Sequence, residues 1–448
     1  MENELPEGWI ETSLTEVFDV RDGTHDSPKY TESGYQLVTS KNIKNGQIDV
    51  NDINYISEKD FLEINKRSKV DKGDLLFSMI GTIGNSAIVA AEPVFAIKNV
   101  ALFKPKSQVL ANFLAYYLNS PLVKDKMLKE AKGTTQKFVG LGYLREFPFP
   151  LPPLAEQTRI VAKLDAAFAH LGTLKTSLAR IPELLKKFRQ TVLTQAVTGK
   201  LTEADIKRWE ETTLADIIES KPKNGYSANP VSYETPFKVL TLSSTTLGKF
   251  SPNHYKYFDE PISKDSHFWL QPNDILIQRG NTIDYVGVSA IYDNLPNEFI
   301  YPDLMIKVRA NQSIILTQYL YFVLSCSKSR NYLRERATGT TGNMPKINQP
   351  TLISLPIQLP PLEEQQEIVR CVEALFAKAD ALEAQYVSLK EKIDKLPQAL
   401  LAKAFRGELV PQDPTDEPAS VLLEKIKAAA NTAGKKKTRQ TSLAFMEE

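Results

Sequence analysis

One short pattern in the chain could bind a cofactor, but it lacks the surroundings that this chemistry needs. Residues 138–142 read FVGLG, which matches the glycine turn with which methyltransferases hold S-adenosylmethionine. That turn requires a preceding strand, a following helix and an acidic residue after the next strand. Here YLREFPFPLPP follows instead. We therefore predict no cofactor site in this segment.

Metal, nucleotide and acid–base chemistry find equally little support. Pro302-Asp303 could open a metal-nuclease motif, but no Asp/Glu-x-Lys sequence follows it nearby, and the chain has no G-x-x-x-x-G-K-[ST] loop. The histidines lie too far apart in the sequence to form a metal-ligand pattern: His25, His170, His254 and His267. Glu156 and Glu364 are better explained by the positive ends of predicted helices than by catalysis. We predict no catalytic residues and no metal site.

Polar side chains of the kind that contact nucleic acids recur in several glycine-containing loops. Ser, Thr, Asn and Gln stand there beside Lys and Arg, and such side chains hydrogen-bond base edges and phosphate oxygens. The candidate DNA-binding residues are Thr39, Ser40, Lys41, Asn42, Lys44, Thr134, Thr135, Gln136, Lys137, Ser243, Ser244, Thr245, Arg279, Asn281, Thr340, Thr341, Asn343 and Lys346. Arg279 is the strongest candidate for a bidentate contact to guanine. The alternative is that these runs are ordinary turns.

The composition fits a folded protein of several domains. The chain has 448 residues, of which 42% are hydrophobic and 24% charged, and its net charge is +1. A DNA-binding protein with this balance must concentrate its cations locally. Cys326 and Cys371 are too few for a disulfide framework, and no stretch is apolar enough to span a membrane. We therefore expect a protein of the reducing cytoplasm.

The elements that must position the polar loops are laid out twice along the chain. LPPLAEQTRIV begins at Leu151 and returns as LPPLEEQQEIV at Leu359, 208 positions later. Upstream the match loosens and the offset falls to 200, as for Trp9 and Trp209. Two tandem units of roughly 200 residues account for this pattern. Within each unit the front part diverges and the back part is nearly preserved.

The preserved back part of each unit is predicted to be a long helix. Its apolar residues follow one another at alternating spacings of four and three, which is typical of a coiled-coil seam. The predicted interface residues are Ile160, Leu164, Leu171, Leu174, Leu178, Leu185, Ile368, Val372, Leu375, Leu382, Tyr386, Leu389 and Ile393. The simplest arrangement pairs the two helices antiparallel about an internal two-fold axis. The alternative is that each helix packs only on its own domain.

Breaker residues predict where these helices end or bend. Paired prolines before each helix favour an extended backbone at its entrance. Gly199 and Gly407 are predicted helix stops. Pro182 and Pro397 lie inside the seams and should kink or break the two helices at different places.

The divergent front parts have the pattern of mixed α/β domains. GDLLFSMIGTIGNSAIV and NDILIQRGNTIDYVGVSAIY each predict two strands joined by a Gly-rich turn. VLANFLAYYLNSPLV and IILTQYLYFVLSCSKSRNYL each predict one amphipathic helix with an aromatic core face. The predicted fold class is α+β, with two tandem mixed α/β domains, two long helices forming an antiparallel coiled coil, and an internal pseudo-two-fold repeat.

These features together resemble the specificity subunits of type I restriction–modification enzymes. The resemblance is carried by LPPLAEQ and LPPLEEQ with their long helices, by the Gly-Thr-Thr runs before them, and by FRGELVPQDPTDEPASVLLEKIK near the C-terminus. It covers nearly the whole chain. It implies a target recognition domain at 1–150, a coiled-coil helix at 151–200, a second recognition domain at 201–358, a second helix at 359–409 and a tail with a short helix at 410–448.

The resemblance also implies a function without catalysis. Each recognition domain is expected to read one half of a bipartite, asymmetric site in double-stranded DNA, and the coiled coil is expected to set the unread spacer. The expected partners are two modification subunits, which use S-adenosylmethionine to methylate adenine at N6, and two restriction subunits, which use ATP and Mg. No cofactor is expected on this chain. A two-lobed coiled-coil scaffold that does not bind DNA is the alternative.

Overall fold

The computed structural model describes residues 5–44, 46–81, 83–106, 111–134, 137–202, 206–339 and 344–429. Two compact units make up the fold. Unit 1 contains the residues up to Ser177 and those from Leu389 onward, and unit 2 contains Leu178–Ser388. The division falls inside the two predicted long helices, so each unit takes helical residues from both copies of the repeat. No helix in the described ranges is long and apolar enough to cross a membrane.

Unit 1 contains twelve of the described strands. These are β1 (Ile10–Ser13), β2 (Phe18–Asp22), β3 (Tyr30–Thr31), β4 (Tyr35–Thr39), β5 (Ile43–Lys44), β6 (Gln47–Ile48), β7 (Asn54–Ile56), β8 (Leu75–Ser78), β9 (Ser86–Ile88), β10 (Phe95–Lys98), β11 (Val100–Pro105) and β12 (Pro148–Leu151). The helices that begin in the first segment of this unit, up to Ser177, are α1 (Leu14–Val17), α2 (Glu58–Ser68), α3 (Ala111–Asn119), α4 (Pro121–Glu130), α5 (Leu141–Glu146) and α6 (Leu154–Leu178).

Two four-stranded sheets organise unit 1. One is antiparallel with the order β2-β11-β8-β9, and its inner strands β8 and β11 are continuous apolar runs, as expected for strands covered on both faces. The other has the order β10-β4-β7-β3, with β10 parallel to β4. β1 pairs with β12, which brings the beginning of the unit to the entrance of α6. Edge-to-face contacts of Phe18, Phe103 and Phe149 fill the core beneath the first sheet.

Unit 2 repeats part of this frame. Its strands are β13 (Glu210–Thr213), β14 (Lys223–Asn224), β15 (Phe237–Leu240), β16 (Tyr255–Phe258), β17 (Ile275–Gln278), β18 (Ser289–Ile291), β19 (Met305–Val308) and β20 (Pro356–Leu359). The remaining helices, of which the last extends into unit 1, are α7 (Ile181–Ala196), α8 (Thr317–Ser325), α9 (Ser327–Glu335), α10 (Gln349–Ile353) and α11 (Leu362–Ala404). β13 pairs with β20, and β14-β19-β17-β18 forms an antiparallel sheet. Both match unit 1, whereas β15 and β16 pair only with each other as named strands.

The predicted hairpins are confirmed, and the two predicted amphipathic helices need correction. β8 with β9 and β17 with β18 are antiparallel pairs joined by glycine-containing turns. Each predicted helix is a pair of shorter helices, α3 with α4 and α8 with α9. The chain is extended at the junctions, with ψ 150° at Ser120 and 153° at Cys326. Pro121 explains the first junction because proline disfavours the helical conformation of the residue before it.

The repeated LPPLxEQ phrase builds the same corner in both units. Trp9 Nε1 donates to Glu156 Oε2 at 2.9 Å in unit 1, and Trp209 Nε1 donates to Glu364 Oε2 at 3.1 Å in unit 2. Glu156 is fully buried, and burial raises its pKa while the Trp9 hydrogen bond opposes that rise. Trp9 and Trp209 stand at the starts of the two divergent front parts, so the two carboxylates fasten each front part to the first turn of the long helix that follows it.

A buried glutamine completes this corner. Gln157 Nε2 donates to the carbonyl of Pro152 at 2.9 Å, and Gln365 Nε2 donates to the carbonyl of Pro360 at the same distance. These carbonyls precede the helices, where the chain is still extended. The phrase recurs because its Pro-Pro, Glu and Gln residues each have a structural role at the turn from strand to helix.

Helical segments of the two repeats pack antiparallel within unit 1. Leu164 of α6 shares one core cluster with Leu401 and Ala404 of α11. Further along α6, Lys175 pairs with Asp394 at 3.1 Å. Rising residue numbers on one helix therefore meet falling numbers on the other. Because the same cluster contains residues of the front part, α6 packs on its own domain as well.

Unit 2 shows the same antiparallel pairing between α7 and the first part of α11. Ala196 lies in one cluster with Val372. Arg189 donates to Asp380 at 2.6 Å and to Glu383 at 2.8 Å. The carboxylates lie one turn apart on α11 and share this single guanidinium, so the contact fixes the register of the two helices.

Burial along the predicted seam is uneven. Ile160, Leu164, Leu171, Leu185, Ile368, Val372 and Ile393 are buried, and Leu174, Leu178, Leu375 and Tyr386 are partly buried. Leu382 and Leu389 are 54% and 46% exposed, so they do not lie in a closed seam. Heptad spacing alone cannot predict which seam residues are buried, because burial of the whole seam requires a partner helix that covers every turn.

The two interior prolines have different consequences. α6 ends at Leu178 and α7 begins at Ile181, so the helix breaks just before Pro182 as predicted. α11 runs through Pro397 without interruption. Gly199 and Gly407 both adopt a left-handed φ of 72°, one turn or less after their helices end, as predicted for helix stops.

The segment that follows α11 also belongs to unit 1. A helix over residues 419–429 places Ala419, Leu422 and Ile426 in the main core of this unit. Arg159 on α6 donates to both carboxylate oxygens of Asp416 at 2.6 and 3.2 Å. The predicted short helix of the tail is therefore an integral part of the core.

Candidate nucleic-acid interface

Three polar loops meet in each unit. The strand-exit loop follows β4 in unit 1 and β15 in unit 2. The hairpin turn joins β8 to β9 and β17 to β18, and the glycine–threonine loop precedes α5 and α10. Within the described ranges, these loops are residues 40–47, 79–85 and 132–140 in unit 1, and residues 242–249, 279–288 and 338–348 in unit 2.

In unit 1 the hairpin turn is bonded to both other loops. Asn85 Nδ2 donates to the carbonyl of Ile43 at 3.0 Å, which ties the turn to the strand-exit loop. The Gly81 N–H donates to the carbonyl of Lys137 at 2.9 Å, which ties it to the glycine–threonine loop. The three loops therefore form one polar surface.

Unit 2 joins its loops by the same logic with different residues. The fully buried amide of Gln278 donates to the carbonyl of Leu242 at 2.9 Å and to Thr245 Oγ1 at 3.0 Å. The Ile347 N–H donates to the carbonyl of Arg279 at 2.9 Å. The end of β17 is thereby bonded to the strand-exit loop, and the hairpin turn that follows it is bonded to the glycine–threonine loop.

Two arginines of α9 lie against the hairpin turn of unit 2. Arg330 and Arg334 both donate to the carbonyl of Asp284, at 2.8 and 2.6 Å. Burial, and next the charge of Arg334, lower the pKa of Arg330 to about 10. Two guanidiniums that share one neutral acceptor repel each other, and an anion bound beside them would relieve the repulsion.

Lys124 on α4 takes the corresponding place in unit 1. Its side chain crosses the hairpin turn, with Cε 3.3 Å from the position that a Cβ on Gly84 would occupy. Burial lowers the pKa of Lys124. Neither set of cations is among the residues predicted from the sequence to bind DNA. A signal was present, since Lys124 and Arg330 each stand nine positions before a Gly-Thr-Thr run.

Most predicted contacts in the strand-exit loop of unit 1 are used within the loop itself. Asn42 is buried, accepts hydrogen bonds from the N–H and hydroxyl of Thr39, and donates to two backbone carbonyls. Ser40 donates to the carbonyl of Asn99, and Lys41 and Lys44 each pair with a nearby aspartate at 3.3 and 3.1 Å. The buried Asn42 amide therefore stabilises the turn itself, in agreement with the turn alternative.

The strand-exit loop of unit 2 gives a similar correction. Ser244 and Thr245 are fully buried, and Ser244 Oγ donates to the carbonyl of Thr241 at 2.8 Å. Thr245 accepts from the buried glutamine of β17. Ser243, the residue before them, is exposed. Only the exposed member of this predicted trio is accessible to a ligand.

The remaining predicted residues lie at the joined loops. Thr134, Lys137 and Lys346 are exposed. Arg279 is partly buried and donates to a backbone carbonyl at 3.4 Å, and Asn281 donates to Gln278 Oε1 at 2.7 Å. Outside the described ranges lie Thr135, Gln136, Thr340, Thr341 and Asn343.

The sequence motifs that could suggest cofactor or metal chemistry have structural surroundings that do not fit it. FVGLG ends the glycine–threonine loop of unit 1 and leads into the six-residue helix α5 rather than into a strand–helix unit. Among the described residues, no group of three or more His, Cys, Asp or Glu side chains could hold a metal ion.

A match to a known family covers both sets of loops. The family model described as the type I restriction modification DNA specificity domain matches residues 6–183 and 206–391. The chain belongs to this family. The first matched segment contains the three loops of unit 1, and the second contains the three loops of unit 2. The repeat inferred from the sequence is therefore a repeat of the specificity domain.

Curated relatives of this specificity-family chain match it from end to end. It is 30% identical to the type I restriction enzyme EcoKI specificity subunit of Escherichia coli K12, over 98% of this chain and 99% of that protein. It is 29% identical to the StySPI specificity subunit of Salmonella potsdam, over 97% and 98% of the two chains.

Solved structures share the fold. The HsdS subunit of Thermoanaerobacter tengcongensis superposes with a TM-score of 0.60 at 21% identity, over 91% of this chain and 99% of that chain. A chain from a structural study of the assembly and conformational transition of a type I restriction–modification system superposes with a TM-score of 0.64 at 22% identity. The superposition covers 91% of this chain and 100% of that one.

Proposed function

We propose that this chain is the DNA specificity subunit of a type I restriction–modification complex and that each unit reads one half of a bipartite, asymmetric site. The observation that carries the proposal is the joined set of three polar loops. It occurs once in each unit and once in each specificity-domain match. A helical cation lies across the hairpin turn in both cases.

The joined loops combine polar and charged side chains with exposed apolar ones. The exposed apolar side chains are Phe138, Leu247, Ile283, Tyr285 and Met344, and apolar side chains can contact the methyl group of thymine. Exposed Ser, Thr and Asn side chains can contact base edges, whereas Lys and Arg contact phosphates. Local cations also explain how a chain with a net charge of +1 binds a polyanion.

We further propose that the helical segments α6, α7 and α11 set the unread spacer. Each unit uses helical residues from both repeats, so a change in helix length acts on both units. An insertion of four residues into these helical segments tests the spacer role. Val192, Leu193 and Ala196 are buried in the core of unit 2, so the exposed break at Ala179-Arg180 is a safer position.

The insertion should lengthen the unread spacer of the methylated site and leave both half-sites unchanged. The measurement is genome-wide mapping of methylated adenines in cells that carry the modified gene. A matched insertion after Gly199, beyond the end of α7, is the control and should leave the spacer as it is. Altered half-site bases in the first variant would contradict the spacer role.

The partners and cofactors follow from the same proposal. The chain would carry no catalytic residues and act in the cytoplasm on double-stranded DNA. It would assemble with two modification subunits that use S-adenosylmethionine to methylate adenine at N6, and with two restriction subunits that use ATP and Mg. The similarity to restriction-enzyme specificity subunits over the whole chain supports this assignment.

Methylated-adenine maps of cells with and without this gene test the proposal as a whole. We expect one bipartite motif that disappears on deletion and returns on complementation. A chain that acts only as a coiled-coil scaffold would leave the map unchanged. It would also show no salt-dependent DNA binding together with the modification subunits. Either of these results would overturn the DNA-reading function.

A further inference from the structure

Unit 2 contains a basic cavity that the proposed DNA-reading function does not use. Its volume is about 370 Å³. Asp274, which lines it, immediately precedes β17, whereas the hairpin turn follows the other end of that strand. Four residues of strand separate them by about 13 Å. The cavity is therefore distinct from the joined loops.

The lining of the cavity carries an excess of positive charge. Five cations and three carboxylates, Glu219, Asp265 and Asp274, line it, which leaves a net excess of two positive charges. Two of the cations are already engaged: Lys307 donates to two backbone carbonyls, and Arg309 donates through two nitrogens to Asp274 at 2.7 and 2.9 Å. Asp274 is 1% exposed and is thereby neutralised.

Three lysines remain for a ligand. Lys221, Lys223 and Lys264 are exposed, and within the described ranges their ammonium groups make no hydrogen bond or ion pair. Like charges that share one cavity destabilise one another unless an anion is bound between them. Lysine ammonium groups are common ligands of phosphate.

A histidine in the same cavity reports the excess charge. The residue His267 is exposed overall, but the partial burial of its ring, followed by the charges of Lys223 and Lys307, lowers its pKa, and a backbone hydrogen bond at Asn224 opposes this shift. The Phe268 ring lies beside it at 4.2 Å. The imidazole therefore loses its proton more readily than an ordinary histidine does, and an anion bound beside it would oppose this shift.

Unit 1 shows what the same place looks like when it is closed to anions. Asp71 and Gln271 hold equivalent positions, since the N–H of each donates to the buried aspartate three residues later, at 2.7 and 2.8 Å. In unit 1 the Asp71 carboxylate accepts from Lys104 at 2.8 Å and pairs with Lys69 at 3.1 Å. In unit 2 the neutral amide of Gln271 leaves the cations without that carboxylate.

We propose that the cavity of unit 2 is a phosphate-binding site formed by Lys221, Lys223, Lys264 and His267. Its volume lies within the range of small-ligand pockets, so it can admit a phosphate group with its attached sugar or a free phosphate. The phosphate could come from the DNA backbone or from a free phosphate compound. The site stands whether or not the joined loops read DNA.

The test follows the four histidine C2 protons of the full chain by NMR while inorganic phosphate is added. Sodium chloride at matched ionic strength is the reference. A bound anion favours the protonated imidazole, so we expect phosphate to raise the pKa of His267 by about one unit. His25 in unit 1, outside the cavity, should respond alike to both salts. The absence of a specific effect on His267 would refute the site.

A single substitution grafts the unit 1 arrangement into unit 2. Gln271→Asp places a carboxylate among the cations and should weaken phosphate binding at least tenfold, which is about 1.4 kcal/mol. Gln318→Asp, exposed on α8 of the same unit, makes the same change in charge and should leave binding unaltered. If Gln271→Asp folds and binds phosphate as the native chain does, the proposal fails. Lys264→Ala, an exposed change, provides a second measure of the same loss.

Duplex DNA containing the methylated motif separates the two sources of phosphate. The experiment uses the complex with modification subunits. If the DNA backbone occupies the cavity, saturating duplex abolishes the His267 response to inorganic phosphate. Lys264→Ala then reduces the slope of log affinity against log salt by about one. If a free phosphate compound is the ligand, DNA and phosphate bind independently and the slope is unchanged. Either result supports the site, and neither depends on which bases are read.

Discussion

Units 1 and 2 share a frame and differ in what the frame presents. The pairs β1–β12 and β13–β20, and the sheets β2-β11-β8-β9 and β14-β19-β17-β18, correspond strand for strand. The second sheet has four strands in unit 1 and only the β15–β16 pair in unit 2. The cation at the hairpin turn is one lysine in unit 1 and two arginines in unit 2. Conserving the frame and varying the loops lets a binding surface change without loss of the fold.

We expect the largest effect on stability from replacing one tightly packed glycine in each unit. A Cβ on Gly23 would lie 2.3 Å from the carbonyl oxygen of Ile97, and one on Gly225 would lie 2.1 Å from that of Tyr301. Both contacts are with backbone and cannot be relieved by side-chain rotation. We expect Gly23→Ala and Gly225→Ala each to lower the free energy of unfolding of their unit by about 3 kcal/mol or more.

Hydrogen–deuterium exchange measured by mass spectrometry reports each unit separately. Protection should fall mainly in unit 1 for the first variant and in unit 2 for the second. Gly142→Ala is the matched control, because a Cβ there meets nothing within 4 Å and the residue lies in α5. Equal protection in the native chain and in Gly225→Ala would show that the two frames are not equivalent.

We expect a smaller effect, on DNA affinity, from removing the cations that lie against the hairpin turns. Arg330→Ala with Arg334→Ala removes two guanidiniums from unit 2, and Lys124→Ala removes one ammonium from unit 1. Each lost phosphate contact costs on the order of 1–2 kcal/mol, so we expect DNA affinity to fall about 100-fold and about tenfold, respectively. Fluorescence anisotropy of the complex with modification subunits, at two salt concentrations, measures both.

The control for this pair is Lys378→Ala, because Lys378 is an exposed lysine of α11 in unit 2. Its removal changes the charge of the unit but not the hairpin turn. Wild-type affinity in the double arginine variant would remove α9 from the interface. It would leave the loops as the sole binding surface of unit 2.

The smallest expected effect concerns the buried carboxylate at the corner of unit 1. Burial raises the pKa of Glu156, so the folded state binds its proton more tightly than the unfolded state does. Stability is then lost as the pH rises through the interval between the ordinary glutamate pKa of about 4.3 and the raised value. Glu156→Gln keeps an acceptor for Trp9 and should increase the melting temperature by a few degrees at pH 7.

This advantage should vanish below about pH 4, where the carboxyl is protonated in both states. Melting curves from pH 4 to pH 8 test the sign. Glu363→Gln, at an exposed position in the first turn of α11, controls for the loss of one negative charge. A constant difference between Glu156→Gln and the native chain across this range would exclude a titration effect.

The sequence predicted the frame because the same pattern appears twice. Two copies of LPPLxEQ, with Trp9 and Trp209 at matching positions upstream, predict the repeat and the entrances of its two long helices. The hairpins at β8–β9 and β17–β18 followed from glycine between apolar runs. Heptad spacing also identified the helices that pair in each unit, although Leu382 and Leu389 are exposed.

The interface was harder to predict because residue type does not specify direction. Asn42, Ser244 and Thr245 have side chains suited to base contacts, yet they satisfy backbone groups of their own loops. Lys124 and Arg330 each stand nine positions before a Gly-Thr-Thr run, but only the folded chain places their helices over a hairpin turn. Tertiary packing makes these decisions, and a short stretch of sequence does not contain them.

The division of the helices between the units has a consequence for synthesis on the ribosome. Unit 2 is one continuous stretch, Leu178–Ser388, whereas unit 1 needs residues 389–429 to complete its core. At about 5–20 residues per second, the roughly 210 intervening residues take on the order of 10–40 s to translate. Unit 1 therefore leaves the ribosome first and finishes folding last. During that interval the surface of α6 that α11 later covers is exposed, and unit 2 can finish folding before unit 1 does.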